Sequence, residues 1–306
     1  MAKLRFILTL FLGFFVTAFG NGRESFMCEV QGHRGARSLF AENTLPSFEA
    51  AIEAGADVLE LDLHVSHDGA LVIYHDFFTN PKMIAYLGGK ALKEPQLIRD
   101  LSLEEIKLLD CGLKRNPKFP RQQLIPGTQI PALGELIEFI QHGTHPNYKK
   151  IRLNIELKRD ERHPEWSFDP ADFAEKVVEE VKKHGFEDRV YYSSFDPEIL
   201  LEIHHVDPEA KVGFIYNADS LALLSQIASK DELEFLFETA FSLKASILSP
   251  DHKMLHDKEQ VQTIQRKGFR VIPWTVNEPN RWKELIDMGV DGIISDYPEE
   301  LILFLK

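Results

Sequence analysis

Along the chain, apolar positions switch between two periods. Short β-branched or leucine-rich runs at Cys28–Gly32, Asp57–Val65, Ala70–His75, Ile151–Leu157, Val190–Ser194, Lys211–Ile215, Ala245–Ser249, Arg270–Trp274 and Gly292–Ser295 predict strands. Apolar residues three and four apart predict helices over Leu45–Ala54, Leu103–Leu109, Leu133–Gln141 and Pro170–His184. The same spacing marks Pro197–His205, Lys258–Lys267, Pro279–Met288 and Pro298–Phe304. Asp169-Pro170 and Asp196-Pro197 are helix openings, and Gly55, Gly185, Gly268 and Gly289 stand where a left-handed cap closes a helix.

Strand–helix alternation of this length predicts an α/β fold, a TIM (β/α)8 barrel. The Ala70–His75 run follows its predecessor across only Ser66-His67-Asp68-Gly69, which permits only an antiparallel return. Setting it aside leaves eight parallel strands. If Val65 pairs with Ala70, then Glu60 stands opposite His75, with Cβ atoms about 5 Å apart. Residues 76–130 are too many for a bare loop and contain the helix signal Ser102-Leu103-Glu104-Glu105. They are expected to form a small insertion above the barrel mouth, after the second barrel strand and its hairpin return.

Strands of a parallel barrel are covered on both faces and usually read as continuous apolar runs. Two runs here alternate instead. Leu59, Leu61, Leu63 and Val65 are interleaved with Glu60, Asp62 and His64; Ile151, Leu153, Ile155 and Leu157 with Arg152, Asn154, Glu156 and Lys158. The apolar sets should face the helices and the polar sets the barrel interior. Buried carboxylates without partners are costly, and a bound cation would offset that cost.

Composition refines this picture. With 44% hydrophobic and 27% charged residues the chain reads as globular, and its net charge of −13 argues against nucleic acid or an anionic membrane as partner. Lys3 and Arg5, the apolar stretch Phe6–Val16 and Ala18-Phe19-Gly20 read as a secretory signal peptide over residues 1–20, cleaved near Gly20. The apolar stretch is short for a spanning helix, so no stable membrane insertion is expected after cleavage, and residues 21–306 form the exported protein, periplasmic or extracellular. Its two cysteines, Cys28 and Cys111, should lie at opposite ends of the barrel as buried free thiols.

The chemistry concentrates early. His33-Arg34-Gly35, Glu42-Asn43-Thr44, Glu60-Leu61-Asp62 and His75-Asp76 bring histidines, an arginine and carboxylates together. Those side chains move protons, clamp phosphate oxygens and hold a hard cation. His33 and His75 end strands beside carboxylates; His64, His67, His163, His204, His205, His252 and His256 read as structural. Neither HExxH nor paired cysteines occur, so the oxygen donors Glu60, Asp62 and Glu156 suit Mg²⁺ or Ca²⁺ better than zinc.

With these motifs the chain resembles the glycerophosphodiester phosphodiesterase family over residues 28–303. Further matching elements are Asn154-Ile155-Glu156-Leu157-Lys158, Trp274-Thr275-Val276-Asn277 and Asp291-Gly292-Ile293-Ile294-Ser295-Asp296-Tyr297-Pro298. Ala41 stands where the family usually has proline. The resemblance implies a phospholipase-C-like barrel that hydrolyses a small-molecule glycerophosphodiester to sn-glycerol 3-phosphate and an alcohol. It implies Glu60, Asp62 and Glu156 as metal ligands and His33 and His75 as the acid–base pair. Arg34 and Lys158 would contact phosphate, Trp274 would line the glycerol side, and Glu42 would be a metal ligand or a support behind the ligands. The alternative is a lysophospholipase-D-like or phosphoinositide-type phosphodiesterase on the same barrel. The sequence sets no oligomeric state.

Overall fold

The computed structural model describes residues 28–227 and 231–306; the expected signal segment and its cleavage point lie outside the described residues. In chain order come β1 (Glu29–His33), α1 (Leu45–Ala54), β2 (Val58–Val65), β3 (Leu71–Ile73), β4 (Ala85–Tyr86), α2 (Leu103–Lys107), β5 (Leu109–Asp110) and α3 (Leu133–His142). They are followed by β6 (Arg152–Leu157), α4 (Pro170–Lys183), β7 (Val190–Ser194), α5 (Pro197–Val206), β8 (Val212–Tyr216), α6 (Ala218–Ile227) and α7 (Glu232–Ser242). The chain ends with β9 (Ile247–Pro250), α8 (Lys258–Arg266), β10 (Arg270–Val271), α9 (Pro279–Met288), β11 (Gly292–Ser295) and α10 (Pro298–Phe304).

Eight parallel strands run in the order β10, β9, β8, β7, β6, β2, β1, β11. Asp291 N–H donates to Val271 C=O at 2.9 Å and Ile294 N–H to Pro273 C=O at 3.0 Å, which draws β11 against β10 and closes the TIM barrel. The expected strand to Trp274 stops at Val271 because Pro273 has no N–H for the ladder. None of the described helices is long and apolar enough to cross a membrane.

The alternating runs behave as their chemistry requires. Leu59, Leu61, Leu63, Leu153, Ile155 and Leu157 are buried in the main core with the inner faces of the helices. Each such side chain contributes about 1.5–3 kcal/mol on burial. The opposite face fills the barrel. At its floor, Glu29 takes Arg152 at 2.6 Å and Arg270 at 3.1 Å. Above lie Gln31, Asn154 and Tyr191, joined through Gln31 Oε1, beside an apolar patch of Val58, Ile247, Ile272 and Ile294. The floor is therefore packed, and the free carboxylates gather at the carboxyl ends of the strands.

The hairpin departs from the expected register. Val65 pairs with Leu71 and Leu63 with Ile73, while Ser66 N–H donates to Ala70 C=O at 2.9 Å. The tight loop is therefore His67-Asp68-Gly69, with Gly69 at φ +84°. This one-residue shift moves His75 away from Glu60; its nearest carboxylate on β2 is Asp62. Residues 76–130 carry β4, β5 and α2, and form a second core of Ile84, Leu92, Ile98, Ile106 and Leu109 against Val72. Cys28 and Cys111 are buried and unpaired. The apolar pattern had marked no helix between Ile215 and Ala245, where α6 and α7 stand.

Candidate active site

Strand register assembles the site. On β1 and β2, His33 pairs with Glu60; on β2 and β6, Asp62 pairs with Glu156. One ligand atom each from Glu60, Asp62 and Glu156 lies within 4.8 Å of the others. Asp62 Oδ1 is buried without a hydrogen bond, and its nearest cation, Lys158 Nζ, is 3.4 Å away. Burial and the charges of Asp62 and Glu156 push the Glu60 carboxyl well above its ordinary range. Burial also opposes ionisation of Asp62, but Arg34, His75 and Lys158 outweigh it and hold its pKa well below the ordinary value. An oxygen-lined pocket with an orphaned carboxylate oxygen and mutual repulsion fits a hard divalent cation.

The loop after β1 presents the basic groups. Arg34 sits at φ 54° and Asn43 at φ 57°, joined by the Asn43 N–H to Arg34 C=O bond at 3.0 Å. Asn tolerates this left-handed conformation; arginine adopts it at a cost that the surroundings must cover. Here Arg34 N–H donates to Glu60 Oε2 at 2.9 Å, and Ser47 Oγ donates to Arg34 C=O at 2.9 Å. Gly35, at φ +84°, passes so close to Ser47 that a Cβ would lie 2.5 Å from its hydroxyl. The Arg34 guanidinium reaches Glu42 Oε1 at 2.6 Å and lies 3.2 Å from Asp62 Oδ2. Glu42 does not join the converging carboxylates: its second oxygen is taken by Arg37.

Both expected acid–base histidines reach this cluster. His33 Nδ1 and Asp296 Oδ1 are 2.6 Å apart, leaving His33 Nε2 3.9 Å from Glu60 Oε2. His75 Nδ1 and Asp76 Oδ1 are 2.6 Å apart, leaving His75 Nε2 4.0 Å from Asp62 Oδ1. In each ring the carboxylate fixes the proton on Nδ1 and turns Nε2 to the cavity. Burial and the neighbouring Arg34 lower the His33 pKa to about 4, so its imidazole is neutral near pH 7. Burial works against the Lys158 charge, but Glu156, 2.7 Å away, and Asp62 raise its pKa.

Trp274 follows β10 and pairs in a parallel bridge with Asp251. Its indole N–H donates to Ser249 C=O at 2.8 Å and its ring meets Phe195 edge-on. Phe195 lines a cleft of about 360 Å³ together with Glu156 and Lys158. The sequence names Asn43, Asp76, Asn277 and Asp296 only as members of motifs, without a role, and gives no sign of Arg37. Asn43 Nδ2 donates to Asp62 at 2.8 Å, and Asn277 Nδ2 to Asp296 at 2.7 Å. Their signal was position: Asp296 follows β11, the strand beside β1, and so ends next to His33.

Comparison with known proteins agrees with this geometry. The sequence profile of the glycerophosphoryl diester phosphodiesterase family matches residues 33–300. A glycerophosphodiester phosphodiesterase from Caldanaerobacter subterraneus subsp. tengcongensis is 31% identical over 278 residues, covering 90% of this chain and 97% of that protein. A Silicibacter pomeroyi crystal structure superposes with a TM-score of 0.80 at 28% identity, covering 91% of this chain and 93% of the other. An Oleispira antarctica phosphodiesterase, solved with the product sn-glycerol-3-phosphate, superposes with a TM-score of 0.70 at 27% identity, covering 92% and 97%.

Proposed function

This chain belongs to the glycerophosphoryl diester phosphodiesterase family and hydrolyses glycerophosphodiesters, and from that premise we propose how its residues divide the reaction. The observation that carries the proposal is the pair of imidazoles, each held at Nδ1 by an aspartate with Nε2 turned to one three-carboxylate cluster.

Glu60, Asp62 and Glu156 would hold Mg²⁺ or Ca²⁺, which when bound supplies positive charge for the phosphoryl oxygens. Arg34 and Lys158 stand beside the same carboxylates and stabilise charge developing on those oxygens. His33, neutral and with its Nε2 lone pair free, takes the proton of the attacking oxygen, either water or the glycerol 2-hydroxyl, whose attack gives a cyclic phosphate that water then opens. His75, carrying a proton on Nε2 as well as the one Asp76 holds on Nδ1, gives the Nε2 proton to the departing alcohol oxygen as its bond to phosphorus breaks. Glu42 braces the Arg34 guanidinium, and Trp274 with Phe195 borders the glycerol side.

The adjoining cleft is lined by the charged groups of Arg159, Asp160, Arg162 and Asp219 together with Phe77 and Leu223, and the charged groups suit a small polar alcohol such as choline or ethanolamine. The basic start, apolar stretch and Ala18-Phe19-Gly20 support action outside the cytoplasm, on residues 21–306.

The test is release of glycerol 3-phosphate from glycerophosphocholine by the purified chain. EDTA should abolish it and Mg²⁺ or Ca²⁺ restore it. His33→Ala and His75→Ala should each slow turnover by about 10²–10⁴-fold while leaving the fold intact. Undiminished turnover in either variant sinks the assignment of that histidine.

A further inference from the structure

His75 leaves the sheet just where the reaction needs it held. β3 ends at Ile73, and the following main chain is anchored by Tyr74 N–H to Asp62 C=O at 3.0 Å. The next main-chain anchor is Ile98 N–H to Phe77 C=O at 2.9 Å. Between them His75 and Asp76 are partly exposed. The side chain of His64, 3% exposed on the inner face of β2, reaches across this gap. Its Nε2 lies 3.2 Å from the His75 carbonyl oxygen, and its ring meets Phe77 edge-on at 5.2 Å. A carbonyl only accepts, so the His64 proton is on Nε2. Phe77 also meets Trp166 at 5.5 Å, so the segment carrying His75 is held by both His64 and the Trp166 indole.

We propose that His64 is a positioning residue for His75: its Nε2–H pins the His75 carbonyl and its ring backs Phe77, and together they aim the His75 imidazole at the departing alcohol. The inference rests on the acid role proposed for His75. The His64 hydrogen bond goes to the His75 main chain and not to the carboxylate cluster. Its loss should therefore reduce the chemical step and leave substrate binding nearly unchanged. Supporting side chains behind reacting groups typically carry about 10–100-fold in activity.

Gln and Met have nearly the same length, and only Gln carries a donor. With glycerophosphocholine as substrate, His64→Met should lower kcat by about 10–100-fold with KM within about twofold of the parent. His64→Gln should recover most of that loss. His64→Phe, which keeps a ring against Phe77 but has no donor, should follow Met and serves if Met does not fold. Equal kcat in Gln and the donor-free variants, or a change confined to KM, would overturn the proposal. His75→Ala is measured alongside. If it turns over normally, the acid role of His75 has failed; if it is inactive while the His64 variants are all unimpaired, only the positioning role has.

Discussion

At the scale of single residues, the site depends on paired tautomers. Asp296 binds His33 Nδ1, and its own second oxygen is held by Asn277. Replacing Asp296 with Asn offers an N–H or a weaker acceptor to Nδ1 and allows the wrong tautomer, so kcat should fall by about 10²–10⁴-fold with KM little changed. Steady-state kinetics on Asp296→Asn checks this. His64 gives a separate pH signature. Its folded pKa of about 4 lies below the ordinary 6.5, so between those values the unfolded chain binds the extra proton. Stability therefore rises from pH 4 to 6.5, by up to about 1.4 kcal/mol per pH unit for this one group, and is level above. Urea unfolding in EDTA at pH 5 and 7 should show a shallower pH slope in His64→Gln. At this scale Glu60, Asp62 and Glu156 were legible because carboxylates alternating with leucines on a barrel strand need a reason to be buried. Asp296 was less legible because its partner is 263 positions away and only sheet order makes them neighbours.

At the scale of elements, strand and helix periods marked nearly all of the barrel, and the failures have local causes. In α6 and α7, Leu223, Leu233 and Phe241 are exposed, and apolar side chains on the wrong face blur the helical period. The hairpin register slipped by one because a three-residue loop with a left-handed glycine replaced the four-residue turn expected from Ser66–Gly69. That slip changed which carboxylate His75 meets, since in a hairpin a single step reassigns every cross-strand neighbour. The β1–α1 loop is the element most exposed to backbone change. Gly35→Ala should destabilise by about 2 kcal/mol or more, through both the left-handed φ and overlap with Ser47, and should displace Arg34. Thermal unfolding together with KM for the diester would show both effects.

At the scale of the whole molecule, the polar floor of Glu29, Arg152 and Arg270 closes one end of the barrel and the carboxylate ring crowds the other. The crowding should make metal-free protein the less stable form. Added Mg²⁺ or Ca²⁺ should raise its unfolding temperature in proportion to the logarithm of ion concentration above Kd. Glu60→Gln, which mimics the protonated acid that burial and its neighbours favour, should unfold at a higher temperature than the parent in EDTA. It should also lose turnover and much of the ion-induced rise. Calorimetry with and without ion tests both parts.

The barrel is completed by its extremes: β1 pairs with β11, and the bond between His33 and Asp296 spans 263 positions of chain. Contacts so distant in sequence form late, because the loop they close is nearly the whole polypeptide. A nascent chain thus carries most of its reactive groups before Asp296 can reach His33. Hydrolysis should therefore begin only once the first and last barrel strands have paired.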